Sequence, residues 1–143
     1  MNPDDIIERL RLRPHPEGGW YRETWRHHLG HEGREHGTAI YFLLRAGERS
    51  HWHRVDAPEV WHFYAGDPLE LRVSPDGVGE QVHVLGPDLT AGQEPQHVVP
   101  ADAWQAAEST GEWTLVGCTV TPAFVFEAFE LAPPCWSPGS GPP

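Results

Sequence analysis

Short runs of apolar residues, each bounded by Gly, Pro, Asp or Asn, fill most of the chain. In several runs apolar and polar positions alternate with a period of two, which is typical of strands with one buried face. There are ten such runs, at residues 20–26, 38–44, 50–54, 60–65, 69–74, 81–85, 96–99, 104–107, 113–120 and 124–131. Many short strands separated by turn residues predict an all-β sandwich or barrel.

The first residues of the chain have a different, helical pattern. Asn2 is a favourable N-cap, and Pro3 suits the first position of a helix, where no backbone N–H is needed. Ile6 and Leu10 supply an apolar side, and the helix must end before Pro14. We therefore expect one short helix before the strands begin.

Turn chemistry indicates how the strands are connected. Residues 74–77 read Ser-Pro-Asp-Gly, and residues 29–37 form a polar, glycine-containing hairpin loop. Both support antiparallel pairing. With 143 residues the chain suits one compact domain, which we place at 1–132. Residues 133–143 are rich in Pro and Gly, so we expect a flexible tail in which Trp136 contacts the surface.

Composition removes several classes of function. The formal net charge is −11 and the ten basic residues are all arginines, scattered along the chain. Such a charge repels nucleic acid and anionic membrane surfaces. The absence of lysine excludes Schiff-base chemistry on a lysine side chain.

Two further features bear on location. Cys118 and Cys135 form neither a CxxC motif nor a disulfide framework, so free thiols are expected. The N-terminus has no apolar secretion signal and no apolar run has the length of a membrane span. A cytoplasmic location is the expectation.

The strongest chemical signal is the pair His51 and His53, followed by Glu59. On a regular strand, residues two apart point to the same face, so the two imidazoles should converge. Two histidines and a carboxylate with open positions suit a first-row divalent metal, as in non-haem iron enzymes. Gln105 is a candidate for a fourth ligand or for a hydrogen bond to metal-bound water. The sequence thus predicts a divalent metal site for Fe, Mn, Ni or Zn.

A metal-free interpretation stays open. In it the same pocket binds an organic molecule directly, and His53 and Glu59 act as an acid/base pair.

Alternation of side chains along the strand places Trp61 and Phe63 on the same side as Glu59. One of Arg22 and Glu23 must face the interior. Arg22, if inward, is an anchor for an anionic substrate, and Tyr41 is a second candidate for orienting it.

Two sets of residues resemble the paired signatures of the cupin superfamily. Gly47, His51, His53, Glu59 and Gly66 match the first signature, and Pro100, Asp102 and Gln105 stand at positions of the second, with Gln105 in place of its usual histidine. Longer segments, at 12–24, 39–44, 59–68 and 116–124, resemble the small family often called cupin family five, a domain of unknown function. This resemblance spans about residues 5–132.

The resemblance implies a jelly-roll barrel with a short N-terminal helix and a cavity for a small molecule. The first functional hypothesis is an enzyme with a divalent metal held by His51, His53, Glu59 and Gln105 that performs oxygenation, isomerisation or lyase chemistry. The alternative is a metal-free metabolite-binding protein or a sugar-epimerase-like isomerase in which His53 is the acid/base. Small jelly rolls leave edge strands that a second copy readily covers, so we expect a homodimer.

Overall fold

A computed structural model describes residues 1–28 and 33–143. It contains one α-helix, α1 (Pro3–Leu10), and strands that run through most of the remaining chain. The strands are β1 (Arg13–Pro14), β2 (Trp20–Arg26), β3 (Thr38–Arg45), β4 (Arg49–Arg54), β5 (Glu59–Gly66), β6 (Leu69–Ser74), β7 (Gln81–Leu85), β8 (Gln96–Val99), β9 (Trp104–Ser109), β10 (Trp113–Val120) and β11 (Glu130–Leu131). Nine of the ten predicted runs match a strand to within two residues at each end.

The helix begins and ends as its sequence predicts. The Asn2 side chain accepts a hydrogen bond from the Asp5 N–H at 2.9 Å, and Arg11 ends the helix in the left-handed conformation. Ile6 is buried against Leu12 and Leu43, which lie on the outer side of one sheet. The helix therefore covers part of that sheet.

The strands form two antiparallel sheets that face each other. The first sheet has the order β1-β2-β3-β10-β5-β8, and the second has the order β11-β4-β9-β6-β7. Their facing sides supply the main hydrophobic core, which includes Phe42, Trp61, Leu71 and Val116. From β3 onward the chain crosses between the sheets at each connection except that of β6 and β7, as in a jelly roll, and the predicted all-β fold is confirmed.

The predicted strand at 124–131 is wrong. Phe126–Ala128 forms a short 3-10 turn, and only β11 pairs, with β4. The alternating aromatic residues of this segment pack on one another instead: the ring of Phe124 lies 4.9 Å from Phe126 and 5.8 Å from Phe129. Phe124 and Phe126 line one wall of a cavity, so their alternation reflects packing rather than strand pairing.

The connections follow the turn chemistry. Strands β2 and β3 pair antiparallel, as expected of a hairpin, although residues 29–32 of the predicted loop lie outside the described part of the chain. Ser74 Oγ accepts a hydrogen bond from the Gly77 N–H at 3.0 Å in the turn between β6 and β7.

The segment after residue 132 folds back on the second sheet. Trp136 is 7% exposed and packs against Trp52 and Trp104 on that sheet's outer side.

Within residues 1–28 and 33–143, no helix has the length and apolar character needed to cross a membrane. The homodimer stays a prediction.

Candidate active site

A cavity opens between the two sheets near β1 and the Phe124–Phe126 segment. Its volume is about 170 Å³, and its lining combines aromatic side chains and the buried Cys118 with four histidine and carboxyl groups that have little contact with solvent. These four are His15, Glu17, His53 and Glu59. Such a combination of apolar walls and convergent polar groups is typical of a small-molecule site.

A β-bulge in β4 decides which histidine reaches this cavity. Ser50 pairs with Ala107 and His53 pairs with Gln105, so three steps along β4 match two along β9. A bulge of this kind redirects the side chains within it. His53 consequently faces the cavity.

His51 does not. Its Nε2 lies 2.8 Å from the carbonyl oxygen of Pro133, outside the cavity lining. The expectation that His51 and His53 converge is therefore wrong, because it assumed a regular strand.

Glu17 enters the cavity from the turn between β1 and β2. Gly18 and Gly19 both have positive φ, at +112° and +75°, which glycine adopts at little cost. The turn packs so closely on β4 that a Cβ on Gly18 would overlap the Arg49 carbonyl oxygen. The His51 N–H also donates to the Glu17 carbonyl oxygen at 2.9 Å. The sequence analysis did not single out Glu17; the signal that could have found it is a charged residue directly before two glycines.

Glu17 and His53 form a buried pair. Glu17 Oε2 lies 3.5 Å from His53 Nε2, and Ser50 Oγ donates to the same carboxyl oxygen. On the far side of the ring, His53 Nδ1 lies 2.8 Å from the His51 carbonyl oxygen. Since a carbonyl only accepts, Nδ1 carries the proton of the neutral ring, and Nε2 presents its lone pair to Glu17.

His15 supports the pair through the backbone. Its Nδ1 accepts a hydrogen bond from the Glu17 N–H at 3.1 Å, which requires an unprotonated Nδ1. Burial, with a smaller contribution from the nearby His53, lowers the pKa of His15 to about 3. His15 is thus a neutral acceptor that fixes the Glu17 backbone.

Burial favours the neutral forms of both partners. It raises the pKa of Glu17 to about 8, against the opposing hydrogen bond from Ser50. It lowers the pKa of His53, against the opposing effects of Glu59 and the His51 carbonyl. At neutral pH the favoured state is a protonated Glu17 beside an unprotonated His53 Nε2, a general acid next to a general base.

Glu59 is held by a chain of hydrogen bonds. Gln105 Nε2 donates to Glu59 Oε1 at 2.9 Å, and Gln105 Oε1 accepts from Trp61 Nε1 at 2.8 Å. The indole only donates, so the amide orientation is fixed. Burial raises the pKa of Glu59 to about 7, while His53 acts in the opposite direction. Gln105 therefore orients Glu59 with both ends of its amide engaged.

The cavity does not assemble the predicted set of metal ligands. His51 lies outside it, and Gln105 Oε1 is bonded to Trp61. Over residues 1–28 and 33–143, the three possible ligands with donor atoms all within 4.8 Å of one another are His83, Glu94 and His97, which do not line the cavity. The residues present in the cavity thus do not fit a metal centre of the predicted composition.

Arg22 and Tyr41 also lie away from the cavity. They pair across β2 and β3, and the Arg22 guanidinium carbon lies 5.6 Å from the Tyr41 ring centre. Their neighbours Tyr21 and Glu23 line the cavity instead, because alternate residues of a strand face opposite sides. The expectation that one of Arg22 and Glu23 faces inward holds, with Glu23 as that residue.

Two arginines that sequence reasoning did not single out line the cavity. Arg26 is bound to Glu23 at 2.7 Å and to the Phe124 carbonyl oxygen at 2.9 Å. Arg13 is exposed, with its guanidinium carbon 5.4 Å from the Tyr21 ring centre. Arg13 is therefore the better placed to meet an anionic group that enters the cavity.

Comparisons with known proteins agree with this fold. The family model described as "Cupin superfamily (DUF985)" matches residues 4–132. A solved protein of Shewanella oneidensis is 42% identical, with a TM-score of 0.87, covering 92% of this chain and 85% of that one. A hypothetical protein from Leishmania major is 30% identical, with a TM-score of 0.85, covering 92% and 88%.

More distant similarity is to a characterised enzyme. Oxalate decarboxylase from Bacillus subtilis is 10% identical, with a TM-score of 0.62, over 82% of this chain and 29% of that one. At this identity the likeness concerns the fold alone. None of the curated proteins compared with the chain matches it.

The close approach of the Gly18 turn to β4 predicts an unequal effect of two glycine substitutions. Gly47→Ala meets no atom within 4 Å and should cost only the left-handed conformation, about 1–2 kcal/mol of unfolding free energy. Gly18→Ala also overlaps the Arg49 carbonyl and should cost about 1–3 kcal/mol more. Urea unfolding of both variants measures the difference; equal costs would show that the turn does not pack tightly on β4.

The raised pKa of Glu17 predicts that stability falls with pH. The folded protein keeps a proton on Glu17 up to about pH 8, while the unfolded chain releases it near 4.5. The proton on Glu17 thus stabilises the folded state at low pH. This stabilisation is lost as the pH rises from about 4.5 to about 8. The histidines of lowered pKa still titrate at about pH 6.5 in the unfolded chain, so the contribution of Glu17 is measured as a difference between the wild type and a Glu17 variant.

Between pH 6.5 and 8, the unfolding free energy of the wild type should fall more steeply than that of Glu17→Gln, by up to about 1.4 kcal/mol per pH unit. Denaturant titrations at several pH values provide the slopes. Glu59 also titrates in this range and its pKa is raised partly by Glu17, so the difference between the slopes reports Glu17 together with its effect on Glu59. Parallel slopes would mean that Glu17 is ionised in the folded state.

Proposed function

We propose that the chain, which belongs to the DUF985 family of the cupin superfamily, is an enzyme that isomerises a small carbonyl compound by proton transfer in the cavity. The observation that carries this proposal is the contact of 3.5 Å between His53 Nε2 and Glu17 Oε2. It joins an available base and a protonated acid in a site with little water. Hydrogen bonds between catalytic groups are often long without substrate and shorten when it binds.

The proposed reaction needs no external oxidant or reductant. His53 Nε2 removes the proton from a carbon next to the substrate carbonyl; that C–H bond breaks and an N–H bond forms. Glu17 transfers its proton to the carbonyl oxygen, which gives an enol. Return of a proton from His53 to the other face of the same carbon, with return of the enol proton to Glu17, gives the epimer. In a hydroxy-carbonyl substrate, His53 can instead protonate the former carbonyl carbon while Glu17 takes the proton of the neighbouring hydroxyl, whose carbon becomes the new carbonyl. Both routes restore both residues.

The surroundings stabilise the charges that develop in this step. The His51 carbonyl accepts from His53 Nδ1–H and becomes a stronger partner when the ring is positive. The Ser50 hydroxyl donates to Glu17 and stabilises its carboxylate after the proton has left. Both groups are already in place before the substrate arrives, so little reorganisation is needed.

The cavity selects for a small, polar substrate. Its volume of about 170 Å³ lies below the roughly 300–1,000 Å³ of sites for drug-sized ligands. Tyr21 and Phe126 offer flat apolar walls, and Arg13 lines the cavity as the exposed cation. These features favour a short hydroxy-carbonyl compound with a negatively charged group at the Arg13 end.

The metal-dependent alternative has its support in the fold. Bacillus subtilis oxalate decarboxylase has Mn(II) centers, and the two proteins share the barrel. The proton-transfer proposal rests on the contacts of this chain's own cavity, where His53 and Glu17 are paired and His51 is outside. A cavity metal, and its identity as Fe, Mn, Ni or Zn, stays a prediction.

Hydrogen exchange tests the proposed reaction without knowledge of the exact substrate. Tag-free protein is incubated in D2O with a panel of short hydroxy-carbonyl compounds, with and without a negatively charged group, and deuterium on carbon is followed by NMR. We expect exchange next to the carbonyl of at least one compound, unchanged by chelator. His53→Gln should slow it by about 10²–10⁴-fold, the usual contribution of a general base.

His62→Gln is the matched control, because His62 lies on the outer side of β5 and bonds to Thr119 and Gln96. It should exchange at the wild-type rate. Exchange that persists in His53→Gln would contradict the proposal. Exchange that is lost with chelator and restored by a divalent ion would favour the metal-dependent alternative instead.

A further inference from the structure

Two histidines meet where the edges of the two sheets come together, away from the cavity. β7 is an edge strand of the second sheet, and β8 is an edge strand of the first. His83 pairs with Leu71 across β6 and β7, and His97 pairs with Trp61 across β5 and β8. Since paired residues share a face and both partners belong to the core, the two imidazoles point inward from opposite sheets.

Glu94 completes this cluster from the segment before β8. Its N–H donates to the Val84 carbonyl at 2.9 Å, and its carbonyl accepts from the Gly86 N–H at 3.0 Å, which fixes its backbone on β7. Its carboxylate lies 3.3 Å from His97 Nδ1. The donor atoms of His83, Glu94 and His97 all lie within 4.8 Å of one another.

One nitrogen of this cluster is unsatisfied. His83 Nε2 is buried and has no hydrogen-bond partner among the described residues. The two imidazole rings stack, with centres 3.7 Å apart and planes at 27°. A buried polar atom without a partner costs about 1–3 kcal/mol, so such atoms are rare in folded proteins. A positively charged ligand at the cluster would remove this cost.

The cluster's charge state suits a cation. Burial lowers the pKa of His83, and the neighbouring His97 lowers it further, against the opposing effect of Glu94. The neutral imidazole, which offers a lone pair, is the form that binds metals. The Glu94 side chain is 51% exposed and the His97 side chain 18%, so the site is open to an ion from solvent.

We propose that His83, Glu94 and His97 bind one divalent transition-metal ion, with Zn²⁺ the best match, and that the ion joins the edges of the two sheets. Two imidazole nitrogens and one carboxylate oxygen form a His₂Glu set, with water as the fourth ligand. Zinc ligands at about 2.0–2.2 Å lie roughly 3.3 Å apart in a tetrahedron. To reach this geometry the donor atoms must approach one another, and one of the two stacked rings must rotate so that both lone pairs meet the ion. Mg²⁺ and Ca²⁺ prefer sets made of oxygen alone.

The metal would act on structure rather than on the cavity reaction. Near the site, the edges of the two sheets are connected by an isolated bridge between Leu85 and Glu94. An ion bound to both β7 and β8 links the sheets directly, and it stabilises the folded state because the unfolded chain has no such preformed site.

Zinc titration of tag-free, metal-stripped protein tests the proposal. Calorimetry should show one Zn²⁺ per chain, and Zn²⁺ should raise the melting temperature, whereas Mg²⁺ should not. His83→Gln and Glu94→Gln each remove a direct ligand of the ion and should weaken Zn²⁺ binding by more than about 100-fold. That value is the upper end of the loss seen when only a hydrogen-bond partner of a ligand is removed. Because Glu94 is half exposed, Glu94→Gln should fold even if His83→Gln does not.

Three controls separate this site from other sources of binding. Glu8→Gln, on the exposed side of α1, and His62→Gln should bind Zn²⁺ like the wild type. His53→Gln should also retain binding, which distinguishes the edge site from a metal in the cavity. Absence of stoichiometric Zn²⁺ binding would overturn the proposal. So would wild-type affinity in Glu94→Gln, or loss of binding in His53→Gln alone.

Discussion

Glu17 and His53 lose contact with water where the turn between β1 and β2 packs against β4, and the chemistry of the cavity depends on that desolvation. A charged carboxylate or imidazolium is costly in such surroundings unless it is well paired. The neighbouring groups satisfy the neutral forms: Ser50 donates to Glu17, and the His51 carbonyl accepts from His53. The result is an acid and a base held side by side, both ready to exchange a proton.

The sequence predicts the framework well because the framework depends on local signals. Turn residues and period-two alternation locate nine of the strands, and Asn2 and Pro3 locate the helix. The resemblance to the cupin family is confirmed by the family model over residues 4–132. The run at 124–131 failed because its alternating phenylalanines pack around the cavity rather than against a sheet.

The details of the site depend on features that local patterns do not contain. Because of the bulge in β4, His53 faces the cavity and His51 faces outward. No residue pattern between positions 50 and 54 indicates that a bulge is present. The pairing register of β2 and β3 places Arg22 and Tyr41 on the outer side. Glu17 belongs to a turn whose position is set by a strand more than thirty residues later in the chain.

A shared fold does not determine a shared reaction, because function resides in the side chains that a fold presents. Here the barrel resembles that of Bacillus subtilis oxalate decarboxylase. The cavity, however, presents a neutral acid/base pair. The donor atoms suited to a metal, those of His83, Glu94 and His97, lie at the sheet edges. The two sites use different residues and are separable by substitution.

A ¹H–¹⁵N spectrum of the histidine rings at neutral pH tests the neutral pair most directly, with His53→Gln to assign the signals. We expect His53 to be neutral with its proton on Nδ1; a doubly protonated His53 ring would contradict the neutral pair.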